Sequence, residues 1–322
     1  MVDSSCIIKI AGEEIKPGQV KQIEIPVARL PTQTLISLPV TVINGLKSGA
    51  RLWINAAIHG DEINGVEIIR QVGTQVNPRQ LQGTLITVPI VNIFGFIEQS
   101  RYLPDRRDLN RSFPGSENGS LASRLAHLFM REIVNKCTHG IDIHTAAIHR
   151  INLPQIRANF LENEETYRCA KAFAAPVMIE SNTRDGSLRQ AVSNKGIPIL
   201  LYEGGEALRF DAQAISVGVR GIFRVMKVLN MYDSIVSELP VDYKCLEVKQ
   251  SKWLRASQSG LFLLHTHLGA IVTKKQIIGT ITDAFGNKSI QVKSNLEGIV
   301  IGHVQNPLVS QGDALIHIGS FV

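Results

Sequence analysis

Arg51–Val72, RLWINAAIHGDEINGVEIIRQV, decides how the rest of the chain is read. Leu52 to Ile58 is an apolar run of the kind a buried strand makes, and Val66, Ile68 and Ile69 follow in a helix-like pattern. Between them stands His59-Gly60-Asp61-Glu62. Open α/β sheets bind ligands where a strand gives way to a helix, outside the carboxyl ends of the strands. Three residues apart across that turn, an imidazole and a carboxylate can converge on one metal ion, and Gly60 is expected to let the backbone turn tightly enough. A third ligand, a base and a substrate clamp must come from elsewhere.

Working outward, residues 7–45 hold short β-rich runs broken by Pro17-Gly18, Pro31 and Asn44-Gly45, which predict antiparallel strands ahead of the main sheet. Downstream, Thr84 to Val91, Ile141 to Thr145 and Ile197 to Tyr202 read as buried strands. Leu121 to Val134, Glu164 to Ala174 and Phe210 to Tyr232 read as helices. Strands alternating with helices predict an α/β fold with a largely parallel sheet. From about residue 240 the texture changes to short β runs and glycine turns, and residues 259–281 and 296–319 resemble each other. That repeat predicts a compact β-sandwich of two related halves. The expected division is 1–237, with an N-terminal β segment 1–48, and 238–322.

The chain has 322 residues, 44% of them apolar, enough for a large core and a folded soluble protein. Lys and Arg exceed Asp and Glu by six, but the excess is scattered, which argues for an anionic small substrate and against a nucleic-acid partner. Cys6, Cys137, Cys169 and Cys245 form no Cys-x-x-Cys pair, so reduced thiols in the cytoplasm are expected. No secretory leader and no membrane-spanning stretch is expected.

The remaining chemistry lies at strand ends. His144, closing Gly140-Ile-Asp-Ile-His, is the candidate third ligand, and Asp142, on the same strand face, can orient an imidazole. Residues 100–115, SRYLPDRRDLNRSFPG, carry four arginines after a central strand. Arginine's planar fork suits a carboxylate, and Asn110 and Arg111 are the candidates to hold one. Glu203, between a buried strand and two glycines, is the candidate base, while Glu206 is expected to be exposed. Ala146 to Arg157 follows the third ligand and is expected to line the pocket, where Arg150 or Arg157 selects a second acidic group.

In order, His59-Gly60-Asp61-Glu62, Asp108-Leu109-Asn110-Arg111, Asp142-Ile143-His144 and Glu203-Gly204-Gly205 resemble the motifs of the succinylglutamate desuccinylase and aspartoacylase family, a branch of the zinc carboxypeptidase superfamily. The resemblance covers residues from about 50 to 235. It implies a carboxypeptidase-like fold and one Zn2+ per chain held by His59, Glu62 and His144. It further implies that Glu203 is base and proton shuttle and that Asn110 and Arg111 hold the substrate carboxylate. Arg101 would polarise the scissile carbonyl, with Arg106 as the alternative. The implied activity is hydrolysis of a small N-acyl amino acid. A carboxypeptidase acting on short peptides and a metal-free binding or scaffold protein are the competing readings.

The C-terminal repeat resembles a biotinyl or lipoyl type barrel-sandwich. Lys288, in Asp283-Ala-Phe-Gly-Asn-Lys288, lacks the flanking signature of a modified lysine, so the module is expected to be unmodified and to shape the pocket or the interface of a homo-oligomer.

Overall fold

A computed structural model describes residues 7–238, 240 and 243–321; Cys6 lies outside them. The strands of the first part are β1 (Val20–Arg29), β2 (Leu35–Asn44), β3 (Lys47–Ala56), β4 (Gln82–Val88), β5 (His139–Ala146), β6 (Arg150–Ala158), β7 (Val177–Glu180) and β8 (Ile199–Glu206). The helices used below are α1 (Asn64–Gln75), α2 (Leu121–Glu132), α3 (Glu164–Phe173), α4 (Leu188–Ser193) and α5 (Ala212–Val228). Side chains one residue outside the helices start them: Ser120, Asn163, Ser187 and Asp211 each accept a hydrogen bond from a backbone N–H of the first turn.

The sheet is mixed. At its centre β4, β3, β5 and β8 run parallel, and β2 and β1 continue it antiparallel on one side. From Leu52 onward strand β3 is buried on both faces, with Leu52, Trp53 and Ile54 inaccessible to solvent, as its apolar run predicts. On one face Ile68, Ile69 and Val72 of α1 pack with Phe173 of α3 and Phe223 of α5. Truncating a buried phenylalanine of this kind to alanine costs about 3–5 kcal/mol. On the other face Phe129 of α2 and Leu188 of α4 pack with Trp53 and Ile86.

Ala146 to Arg157, expected only as a pocket-lining segment, contains strand β6 despite Pro154. One edge of β6 pairs with β8 through a bulge between Asn152 and Gln155. The other edge changes partner at the same place, from β9 (Gly298–Val304) to β7. Neither neighbour needs an N–H from Pro154, which removes the usual objection to proline inside a sheet.

Through β9 the C-terminal β region is hydrogen-bonded into the main sheet, followed by strand Ala314–Ser320 and then Gln250–Arg255 at the edge. The two repeats fold alike: Gly260–Leu264, Ile271–Val272 and Ile277–Thr282 in one, Gly298–Val304, Leu308–Val309 and Ala314–Ser320 in the other. Each short strand pairs with the long strand of the opposite repeat, and Phe262, Ile278, Val300 and Leu315 fill the space between. No helix among the described residues is long and apolar enough to cross a membrane.

Candidate active site

At the carboxyl end of β3, Ala57 takes a left-handed backbone (φ 50°) and the chain turns into His59. A Cβ on Gly60 would lie 1.9 Å from the carbonyl carbon of Gly95, so close approach of the short helix Ile93–Ile97 that follows β4 is what requires glycine here. The turn places His59 Nδ1 2.7 Å from Glu62 Oε1. Across β5, His144 Nδ1 lies 2.7 Å from Glu62 Oε2, which also accepts the N–H of Thr145. All three side chains are buried, and their donor atoms lie within 4.8 Å of one another.

Behind each imidazole stands a second carboxylate. His59 Nε2 is 3.1 Å from Asp108 Oδ1, and His144 Nε2 is 3.0 Å from Asp142 Oδ2. Asp142 is itself held by Asn55 Nδ2, whose Oδ1 accepts the indole N–H of Trp53. Burial alone would push the pKa of His144 down, but Asp142 and Glu62 outweigh it and raise it well above the ordinary value. His59 is raised likewise, by Glu62 and Asp108 against burial. Burial pushes Glu62 up, yet the two imidazoles hold it well below the usual carboxylate range. A cation suits this arrangement. With Nε2–H committed to a carboxylate, each ring turns Nδ1 toward Glu62, the pattern by which carboxylates orient metal-binding histidines.

Glu203 stands directly across from His144 in the β8–β5 register. One of its oxygens accepts Asn152 Nδ2 at 2.5 Å, and the other lies 3.3 Å from Arg157 Nη1. The left-handed backbone of Gly205 (φ 77°) lies in the irregularity of β8 that follows Glu203. Glu206 is half-buried rather than exposed, because Oε1 accepts the N–H of His149.

A cavity of about 250 Å³ joins these groups, lined by His59, Glu62, His144 and Glu203. Six arginines share its wall: Arg101, Arg111, Arg150, Arg157, Arg184 and Arg189. Arg101 binds Asp108 Oδ2 through Nη2 at 2.9 Å and places Nη1 3.6 Å from Glu62. Arg106 is exposed on a left-handed turn and does not line the cavity. Asn110 lines it while its Oδ1 accepts the N–H of Leu188.

Several lining residues were not anticipated. Arg189 of α4 is buried, and Trp253, from the C-terminal strand Gln250–Arg255, stacks on His317 at 4.6 Å with Arg150 over its ring. Arg184 lines the cavity as well, while Asn152 belongs to the segment Ala146 to Arg157 that is expected to do so. The bonds of Asp108 to both His59 and Arg101 explain an acid that the sequence shows only as part of a motif. Arg189 carried one signal, a Ser187 helix cap that places it in a first turn.

Residues 48–229, more than half of the chain, match the succinylglutamate desuccinylase/aspartoacylase catalytic domain. The chain belongs to this family. It is a family of deacylases acting on N-acyl amino acids. The N-alpha-acetyl-L-2,4-diaminobutyric acid deacetylase of Halomonas elongata is 26% identical over 298 residues, covering 89% of this chain and 86% of that protein. Among solved structures, the succinylglutamate desuccinylase/aspartoacylase of Rhodobacter sphaeroides superposes with a TM-score of 0.84 at 24% identity, over 94% of this chain and 96% of that one. The product-bound ectoine utilization protein EutE of Ruegeria pomeroyi does so with a TM-score of 0.83 at 23% identity, over 93% and 95%. His59, Glu62, His144 and Glu203 all fall inside the family-matched span, and Trp253 falls outside it.

Proposed function

We propose that this chain is a zinc-dependent deacylase that hydrolyses the amide of an N-acyl amino acid bearing a second acidic group. The observation that carries the reading is one small cavity containing a buried His-Glu-His donor set, a facing glutamate and six arginines. His59, Glu62 and His144 would hold one Zn2+, which when bound supplies the Lewis acidity that makes a water acidic and a carbonyl electrophilic.

The protein side chains do the rest. Asn110 and Arg111 hold the α-carboxylate at the mouth, and Arg101 donates to the carbonyl oxygen as it gains charge. Glu203 takes a proton from water as its oxygen bonds to the carbonyl carbon, then delivers that proton to the nitrogen as the C–N bond breaks. Arg157 and Arg150 face a second carboxylate. The Halomonas relative is named for a diamino acid substrate; a wall of arginines supports an acidic side chain or acyl group here instead.

In this reading the fold is of the zinc carboxypeptidase type. Residues 1–237 form the catalytic unit, and 238–322 an unmodified β module that lends Trp253 to the wall. The unpaired Cys137, Cys169 and Cys245 fit a cytoplasmic enzyme. The test is metal content of the purified protein alongside amine release from N-acetyl and N-succinyl derivatives of acidic, neutral and basic amino acids and from dipeptides. Stoichiometric zinc with Glu203-dependent release from acidic substrates is expected. Release from dipeptides alone would replace the deacylase with a peptidase.

A further inference from the structure

Two guanidinium groups beside Glu203 are incompletely used. Arg157 places Nη1 3.3 Å from Glu203, while its Nε is buried and has no hydrogen-bond partner. Arg189 donates Nη2 to Ser181 Oγ and to the carbonyl of Asn182, and its Nη1 is likewise buried without a partner. Both side chains line the cavity. Burial, followed by the neighbouring charge of Arg157, pushes Arg189 down to about 10. Two cations held this close, each with an uncommitted buried donor, ask for an anion with more than one oxygen.

The register explains why that anion would affect more than affinity. Arg157 lies on β6 opposite Leu201, two residues from the Gln155–Glu203 pair, so the guanidinium and the carboxylate project from the same sheet face. A second anion that engages Arg157 therefore competes with Glu203 for one positive charge. Asn152 also donates to Glu203, on the oxygen that Arg157 does not approach, so the glutamate has a tether independent of Arg157.

We propose that Arg157 is a counter-ion shared between Glu203 and the second carboxylate of a dianionic substrate, so that occupation of the Arg157–Arg189 site loosens Arg157 from Glu203 and leaves that carboxylate free to take a proton. The proposal rests on the reading of Glu203 as base. Arg157 acts in it as a positioning residue, and substrates without the second anion meet a base still tied to its counter-ion.

The test is a binding cycle that needs no turnover. Calorimetric titration of the zinc-loaded protein with succinate, and with acetate as monoanionic control, is run on wild type, Glu203→Gln, Arg157→Gln and the double variant. Succinate should bind more tightly than acetate, and Arg157→Gln should weaken it about tenfold or more. Glu203→Gln should tighten succinate about tenfold in the wild-type background and by less than about threefold in the Arg157→Gln background, since only a shared partner couples the two changes. Equal tightening in both backgrounds would mean simple relief of repulsion and overturn the proposal, as would the absence of any preference for succinate.

Arg157→Lys, which keeps the charge without the fork, should restore part of the coupling; no restoration would show that Arg157 acts only structurally. With substrates, Arg157→Gln should lower kcat/KM for dianions and raise kcat for N-acyl amino acids with neutral side chains, because Glu203 is then free of its counter-ion. A fall in kcat for both classes would overturn the sharing. Failure of the wild type to hydrolyse any N-acyl amino acid would instead remove the base reading, while the binding cycle would still decide whether Arg157 is shared.

Discussion

Strand β5 carries a histidine toward each end, and each belongs to a group of three donor atoms lying within 4.8 Å of one another. At the carboxyl end stand His59, Glu62 and His144, and at the amino end His139, Glu165 and Cys169. Only the first is arranged for a cation. Its imidazoles are backed by Asp108 and Asp142, its Glu62 faces both rings, and it opens into the arginine-walled cavity. In the second, Arg168 holds both oxygens of Glu165, at 2.8 and 2.6 Å. Thr138 Oγ1 lies 2.8 Å from His139 Nδ1, and burial pushes the Cys169 thiol up to about 12. The two histidines shift in opposite directions, His144 upward and His139 downward with burial as the leading cause. Each end gathers three donor atoms within the same 4.8 Å, but the second has a thiol in place of an imidazole and a glutamate already held by Arg168, and these commitments make the difference.

The largest expected effect breaks the first group. His144→Ala and Glu62→Gln should each take bound zinc from about one per chain to almost none by elemental analysis, and abolish hydrolysis. Cys169→Ala should change neither, and loss of zinc in that variant would undo the contrast. Next, Glu203→Gln should keep its zinc and lower kcat about 100-fold or more, measured by amine release. An unchanged kcat would remove Glu203 as the base.

Smaller effects test the surrounding carboxylates. Asp108→Asn and Asp142→Asn should weaken zinc binding about 10–100-fold in competition with a chelator, because each imidazole loses the negative charge of its acceptor. Glu165→Gln at the other end should leave zinc affinity unchanged. The smallest effect is on stability. The folded pKa of His139 lies below its unfolded value of about 6.5, so its contribution is complete above that pH and is lost as pH falls toward the folded pKa. Urea denaturation of His139→Gln from pH 7.5 to 5 should show a shallower loss than wild type, and identical slopes would show that His139 does not titrate differently on folding.

Much of the fold was legible because its elements are long and periodic. The expected helix from Phe210 to Tyr232 is α5, Ala212–Val228, and the strand after Ile197 is β8. Pro154 hid β6, since only the change of neighbours at that residue makes a proline acceptable there. The repeat of residues 259–281 in 296–319 was visible, but the exchange of short strands between the halves was not. Pairing partners far apart in sequence leave no local trace in either strand.

The sequence by itself determined which four side chains meet at the rim, because His59, Glu62, His144 and Glu203 stand where apolar strand runs end, and an α/β sheet gathers such ends together. Tertiary structure alone decided which arginines face them. Arg106 points to solvent and Arg189 inward, and Trp253 arrives from a strand spliced in through β9. An arginine has the same chemistry on a solvated turn and in a cavity wall. Burial and neighbouring charge assign its role, and both are set by segments distant along the chain.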